Sequence, residues 1–198
     1  NTVKFIKHVQ DISELPVGVK MCIGREDELR TFIKEMKRQD VFPDYIAVDG
    51  MEGGTGAAPK SFMDNVGVPL IPGLDLMNSI LVEEKVRDKL KLVASGKLIS
   101  AGKQINAIAH GANAIYSARG FMLALGCIQA LQCNRGTCPV GITTHDDVLQ
   151  RGIVIEDKAN RVANYAKNVY KDFIQLVAAM GCTNVSEITH EKMYEGKH

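Results

Sequence analysis

The sequence predicts an α/β protein built on a parallel sheet, and three observations carry that expectation. Short apolar runs alternate with amphipathic stretches of helical period, four times in succession. The runs are apolar throughout rather than at every second residue, as in strands buried on both faces between helices. Lys20, Asp49, Ser95 and Ser117 all fall at or near the C-terminal ends of these runs. That is the end where parallel α/β proteins gather their chemistry, whether the sheet closes into a barrel or stays doubly wound.

Residues 1–15 are mixed in character and are expected to pack on a neighbouring element. Pro16 opens the apolar run VGVKMCI, the first strand. A helix over 25–38 follows, with Leu29, Phe32, Ile33 and Met36 on one face and Glu26, Asp27 and Glu28 in the first turn, where the helix dipole favours acids. Pro43 breaks the connection and 45–48 forms the second strand. A helix over 74–90 is expected to bury Leu76, Ile80 and Val86. The third unit pairs a strand at 91–94 with a helix at 100–110. The fourth pairs a strand at 112–116 with a helix at 121–130 that runs straight into a cysteine-rich segment. Residues 156–180 mark one long amphipathic helix stopped by Gly181, and Ser186 and Thr189 are candidate caps of a short last helix. The boundary between the α/β units and this helical extension is placed at 155/156.

With 198 residues, 45% hydrophobic and 24% charged, the chain can bury one sizeable core. A formal charge of +1 with no basic run gives no electrostatic reason to expect nucleic acid or an anionic membrane as partner. A small molecule is the expected partner. No apolar stretch is long enough to span a bilayer. The N-terminus is neither a signal peptide nor an initiating methionine, so the expectation is a piece of a longer chain.

Three of the five cysteines, Cys127, Cys133 and Cys138, stand at C-x5-C-x4-C spacing in GCIQALQCNRGTCPVG. Thiolates gathered this closely point to a soft-metal centre. The spacing lacks the C-x2-C pairs of zinc ribbons, and three sulfurs fit an iron-sulfur cluster with one iron position empty better than a closed tetrahedral zinc site. Zinc with His145 as fourth ligand is the chemical competitor. Cys127 alone could be core in FMLALGCIQAL, but Cys133 and Cys138 sit in a polar loop with no packing reason for a thiol. An odd cysteine count argues against a disulfide framework.

The loop VDGMEGGTGAAP, residues 48–59, carries four glycines directly after a strand, an arrangement that serves a turn or an anion-binding concavity. Ser95, Gly96 and Lys97, then Ser117, Ala118 and Arg119, each precede a helix. Each offers free N–H groups, a positive helix end and a cation to a phosphate.

The order EGGTGAAP, ASGKLISAGK, GANAIYSARGFMLALGCIQALQCNRGTCPVG and RGIVIEDKANRVANY resembles the FMN-binding synthase domain of glutamate synthase, most of all the stand-alone FMN-binding glutamate synthase family proteins. The resemblance covers nearly the whole chain. It implies the C-terminal half of a (β/α)8 TIM barrel, about four βα units followed by C-terminal helices, because a complete barrel has roughly 250 residues. It also implies FMN beside a [3Fe-4S] cluster, and formation of glutamate from 2-oxoglutarate and ammonia by reduction of 2-iminoglutarate. Cys127, Cys133 and Cys138 match the cluster ligands. Lys20, in VKMC, is similar to a strand lysine that faces the flavin, where a cation would stabilise the reduced ring. Ser95, Gly96, Lys97, Ser117, Ala118 and Arg119 match the phosphate loops. Glu52, Gly53, Gly54 and Thr55 match the loop over flavin and substrate, with Lys20 and Glu52 as the catalytic pair. Here the sequence has DGMEGGTG where the large synthases have HDGGTG.

Nothing resembling a glutaminase domain or an NADPH-binding module is present. The expected partners are therefore the first half of the barrel, an electron-donor protein and, for the half-barrel alone, a second copy covering the open edge. The expected location is the cytoplasm, with room for a membrane segment ahead of Asn1. Two other readings stand beside this one: a different flavin and iron-sulfur barrel oxidoreductase, and a non-catalytic metal-bound interaction module.

Overall fold

The computed structural model describes residues 2–54, 58 and 61–193. Four strands, β1 (Gly18–Met21), β2 (Tyr45–Asp49), β3 (Lys91–Ser95) and β4 (Ala114–Tyr116), form one sheet in the order β1-β2-β3-β4, with every pairing parallel. Helices α1 (Thr2–Ser13), α2 (Glu26–Gln39), α3 (Leu70–Glu83), α4 (Ala101–Ala109) and α5 (Ala118–Leu125) alternate with them. After the cysteine segment come α6 (Asp147–Gln150), the 25-residue α7 (Ile155–Ala179) and α8 (His190–Met193).

Strand side chains alternate between faces. Ile46, Val48, Leu92 and Ala94, with Met21 and Ile115, point into a core that also takes Ile33 and Met36 of α2 and Leu74, Met77, Ile80 and Leu81 of α3. On the other face the register lines up Lys20 with Ala47, and Asp49 with Ser95 and then Tyr116. That face has no helix layer among the described residues. Tyr45 lies over Gly18, and its hydroxyl is hydrogen-bonded to that of Tyr116, which raises the Tyr116 pKa. Ala47 and Val93, short side chains flanked by these tyrosines and Lys20, are buried there all the same. A one-sided helix layer, two free sheet edges and a polar second face are the geometry of part of a barrel wall.

The core helices follow their sequence. Glu26, Asp27 and Glu28 open α2 and Lys37 and Arg38 close it, matching both dipole ends at about 0.3–1 kcal/mol each. Several boundaries depart from expectation. Residues 2–13 are helical, with Val3 and Ile6 buried. The third helix begins at Leu70 and ends at Glu83 rather than spanning 74–90: Pro72 is tolerated in the first turn, and Lys85 in a left-handed conformation breaks the run before a 3₁₀ turn at Arg87–Lys89. Helix α5 starts at Ala118, three residues earlier than expected, and stops at Gly126, whose φ of 101° is the usual glycine C-terminal signal. The cysteine segment is therefore a loop from its first thiol. Near the C-terminus Asn184, not Ser186, caps the 3₁₀ turn Val185–Glu187, while Thr189 accepts the Lys192 N–H at 3.4 Å.

Helix α7 packs against α4 through Val177 and Phe173, which join Ile105, Cys182 and Ile188 in a second apolar cluster, and against α5, where Tyr165 meets Phe121 edge to face. Its Tyr165 braces the C-terminal end of the sheet. The Tyr165 hydroxyl donates to Ile99 O at 2.7 Å and lies 3.3 Å from Ser117 Oγ, which itself donates to Leu98 O at 2.7 Å. One side chain thus ties the loop after β3 to the loop after β4. Gly120 makes the approach possible, since a Cβ there would stand 1.9 Å from the Tyr165 hydroxyl. Gly120→Ala is expected to displace Tyr165 and destabilise by about 1–3 kcal/mol, a fall in melting temperature of roughly 2–12 °C at this chain length. Thermal unfolding of the two proteins measures it; an unchanged transition would show that the brace carries no strain.

Candidate functional site

The C-terminal ends of the strands open into a cleft of about 500 Å³ lined by Lys20, Asp49, Gly53, Gly54, residues 95–98 and residues 115–119, with Phe121 at its edge. Each wall has a local cause. Lys20 projects from β1 and pairs with the Asp49 carboxylate at the end of β2. Asp49 is mostly covered and abuts Gly53, where any side chain would strike its carboxylate. After β3 the backbone enters positive φ twice, at Gly96 (148°) and Lys97 (49°), which turns successive N–H groups toward one concavity. After β4 helix α5 begins at once, so its free N–H groups and positive end face the same space.

The other two cations of the cleft are engaged as well. Lys97 Nζ holds both oxygens of Asp64, at 2.7 and 2.8 Å. Arg119 Nη2 donates to Gly54 O at 2.8 Å and touches Met63 Sδ at 3.7 Å. Asp64 and Met63 lie in the stretch that follows the glycine loop; neither was singled out from the sequence, which gives no sign that this stretch folds back over the cleft.

The sequence-derived residues thus converge with two exceptions. Glu52 does not line the cleft: both its carboxylate oxygens accept the Leu70 N–H, at 3.1 Å, which places its charge on the N-terminus of α3. Thr55 lies outside the described residues. The helix after Ser95, Gly96 and Lys97 begins at Ala101, within one residue of the expected start and with residues 98–100 intervening, so that loop offers its own N–H groups rather than a helix end.

Cys127, Cys133 and Cys138 line a second, largely enclosed cavity of about 60 Å³, several times what one water needs. Its other walls are mostly apolar, with Met122, Leu123, Ile128, Leu131 and Val140, and are completed by Arg119, Gln129 and Gln132. The antiparallel bridge Thr137↔Thr144 closes the chain around Cys138. Burial alone would push the Cys138 thiol up, but the N–H groups of Thr143, Val140 and Ile142 together outweigh it and hold its pKa below the ordinary thiol value. The buried Thr143 hydroxyl, with no other partner, faces the same sulfur. Cys127 Sγ accepts the Gln129 N–H at 3.4 Å. Such donors suit thiolate rather than thiol, and hydrogen bonds to sulfur are among the devices that set a cluster's potential. Among the described residues no three His, Cys, Asp or Glu side chains come together tightly enough to hold a single metal ion. Three sulfurs spread around one cavity suit a polynuclear group better than a single ion. His145 is exposed and absent from the cavity wall, so the zinc site with a histidine ligand is not assembled. All five cysteines are free.

The two cavities adjoin, and Gly54, Ala118 and Arg119 line both.

The family described as "Conserved region in glutamate synthase" matches residues 1–183. The glutamate synthase large subunit-like protein YerD of Bacillus subtilis is 37% identical over 187 residues, covering 94% of this chain and 36% of that protein. The archaeal glutamate synthase [NADPH] of Archaeoglobus fulgidus is 33% identical over 175 residues, covering 88% of this chain and 34% of that one. The chain thus spans about a third of the length of these relatives. Among solved structures, a double mutant of flavocytochrome b2 with pyruvate bound superposes with a TM-score of 0.58 at 14% identity, over 96% of this chain and 37% of the other, a likeness of fold. Fold, strand-end cleft and sequence relatives agree, and the chain belongs to the glutamate synthase family of oxidoreductases.

Proposed function

We propose that the chain forms the C-terminal part of a glutamate synthase-type active site, holding FMN in the strand-end cleft and a [3Fe-4S] cluster in the cysteine cavity. On this reading it forms glutamate from 2-oxoglutarate and ammonia through 2-iminoglutarate. The observation that carries this is the shared wall: three thiols of one segment enclose a cavity that adjoins a cleft built for a phosphate. FMN and the cluster would supply hydride transfer and one-electron transfer when bound.

The chain's own residues bind and orient. Gly96, Lys97, Ser117, Ala118 and Arg119 offer the phosphate N–H groups and positive charge, Lys97 exchanging its Asp64 partner for the incoming anion. Ser117, held by Leu98 O and Tyr165, fixes the distance between the two loops. Gly53 and Gly54 let backbone approach closely. Lys20, oriented by Asp49, sets a cation toward the flavin position. Cys127, Cys133 and Cys138 would hold the irons. The reading further implies that the preceding half of the barrel covers both free sheet edges, that an electron-donor protein supplies the reductant, and that the half-barrel alone self-associates without activity. No helix among the described residues is long and apolar enough to cross a membrane. The free thiols suit a cytoplasmic setting.

A second reading keeps both cofactors and changes the substrate. What favours it is Glu52, whose carboxylate is committed to Leu70, in a loop that departs from the HDGGTG of the large synthases. Prepared anaerobically together with the preceding half of the barrel, the protein is expected to carry about three irons per chain, to show flavin absorbance, and to form glutamate from 2-oxoglutarate and ammonia when supplied with a reductant. Both cofactors with no glutamate would select the second reading. Stoichiometric zinc and no flavin would overturn both.

A further inference from the structure

We propose that Arg119 is a cation shared between the two cavities, so that one side chain sets both the affinity of the cleft for a phosphate monoester and the reduction potential of the thiolate-bound group beside it. The inference rests on the cofactor reading above and adds a role to Arg119 that a phosphate ligand alone would not have.

The geometry is specific. Arg119 stands at the second position of α5, so its backbone N–H belongs to the positive helix end while its side chain runs along the wall common to both spaces. Nη2 is fixed by Gly54 O at 2.8 Å, and Gly54 itself lines both cavities, so the guanidinium is anchored at the partition and not free to swing to one side. It is half-buried, where charge is screened less than at the surface. Among the described residues no other cationic side chain lines the cysteine cavity: Lys20 and Lys97 line the cleft alone. Lys158 and Arg161 of α7 come near Gly126 and Lys158 lies beside Asp157, but neither is part of the cavity wall.

The sign follows from charge. Three thiolates leave a cluster net negative, and uptake of one electron makes it more so, without a proton being required. A fixed positive charge therefore favours the reduced form and raises the potential. The same charge favours the phosphate dianion. Removing it must move both quantities, whereas removing Lys97, which reaches the cleft alone, must move only the first.

The test uses protein reconstituted anaerobically with iron, sulfide and FMN, compared as unmodified, Arg119→Gln, Arg119→Lys and Lys97→Gln. Flavin fluorescence titration gives the FMN affinity, and a redox titration followed by electron paramagnetic resonance gives the cluster potential. Arg119→Gln is expected to weaken FMN about tenfold or more and to lower the cluster potential by about tenfold in the one-electron equilibrium, equivalent to about 59 mV. Arg119→Lys should recover most of the potential. Lys97→Gln should weaken FMN and leave the potential in place. Equal potentials in Arg119→Gln and unmodified protein, both loaded with iron, would overturn the shared-cation role alone, as would an equal shift in Lys97→Gln. An unmodified protein that takes up neither iron nor flavin would overturn it together with the cofactor reading. If Arg119→Gln does not fold, a large potential shift in well-folded Arg119→Lys would count against the proposal, because charge is retained there.

Discussion

Cys138→Ser is expected to strip the protein of its iron, leaving less than about a tenth of the unmodified content after anaerobic preparation. The argument starts from the surroundings of the sulfur. Cys138 is buried, and the N–H groups of Thr143, Val140 and Ile142 with the Thr143 hydroxyl converge on it, so the pocket is built for a soft anion. Serine places a hard, neutral hydroxyl there. Its oxygen is shorter-bonded than sulfur, a poor ligand for iron-sulfur cores, and far from ionised at neutral pH. With only three thiols on the cavity, loss of one leaves two, and a cluster with two protein ligands is not held. Cys133→Ser should behave alike. Cys182→Ser is the control: its sulfur lies in the separate apolar cluster with Ile105, Val177 and Ile188, near the carbonyls of Met180 and Glu187 that a hydroxyl could bond, and iron content should not change. Iron retained in Cys138→Ser, or zinc in its place in unmodified protein, would overturn the cluster.

The site was legible in the sequence where its chemistry is local, and illegible where it depends on which segments meet. The strands were found because 45–48 and 92–94 are continuous apolar runs, and their members are buried on both faces, Ile46, Val48, Leu92 and Ala94 toward the helices and Ala47 and Val93 on the other side. The gathering of the three thiols on one cavity could be read from their spacing, because all three lie on one short segment. By contrast α1 went unread: Lys4, Lys7, His8, Gln10 and Asp11 dilute a helical stripe whose buried members are Val3 and Ile6 alone. Phe5 and Ile12, also apolar, are exposed, so periodicity had no single face to show. Glu52 was assigned to the site through the resemblance of its loop to the family's; only the fold brings Leu70, the start of a helix eighteen residues away, under its carboxylate. The adjoining of the two cavities is likewise tertiary. It needs α5 to end at Gly126, so that the chain turns back past Ala118 and Arg119 instead of continuing as a helix to Ala130. Glycine at that position was a signal available in the sequence.

Lys20 and Asp49 should shift the flavin potential in opposite directions, and the pair together tests whether β1 faces the flavin at all. Their ion pair lies on the polar face of the sheet, at the mouth of the cleft, with Lys20 half exposed and Asp49 mostly covered. A cation beside the ring stabilises its reduced, more negative form; a carboxylate tied to that cation partly cancels the effect. Lys20→Met removes the cation and leaves Asp49 unpaired, so the two-electron potential of bound FMN should fall, and turnover with it by roughly 10²–10³-fold, the scale of one lost charge-stabilising donor. FMN affinity should change by less than about tenfold, because Gly96, Lys97, Ser117 and Arg119 still hold the phosphate and a tenfold change corresponds to about 1.4 kcal/mol. Asp49→Asn keeps the cation, releases it from its partner and removes a negative charge, so the potential should rise. Spectroelectrochemical titration of bound FMN in the three proteins reads the order directly. Shifts of the same sign, or none in either variant, would mean that the Lys20 ammonium does not reach the ring and that its pairing with Asp49 serves only to fasten β1 to β2.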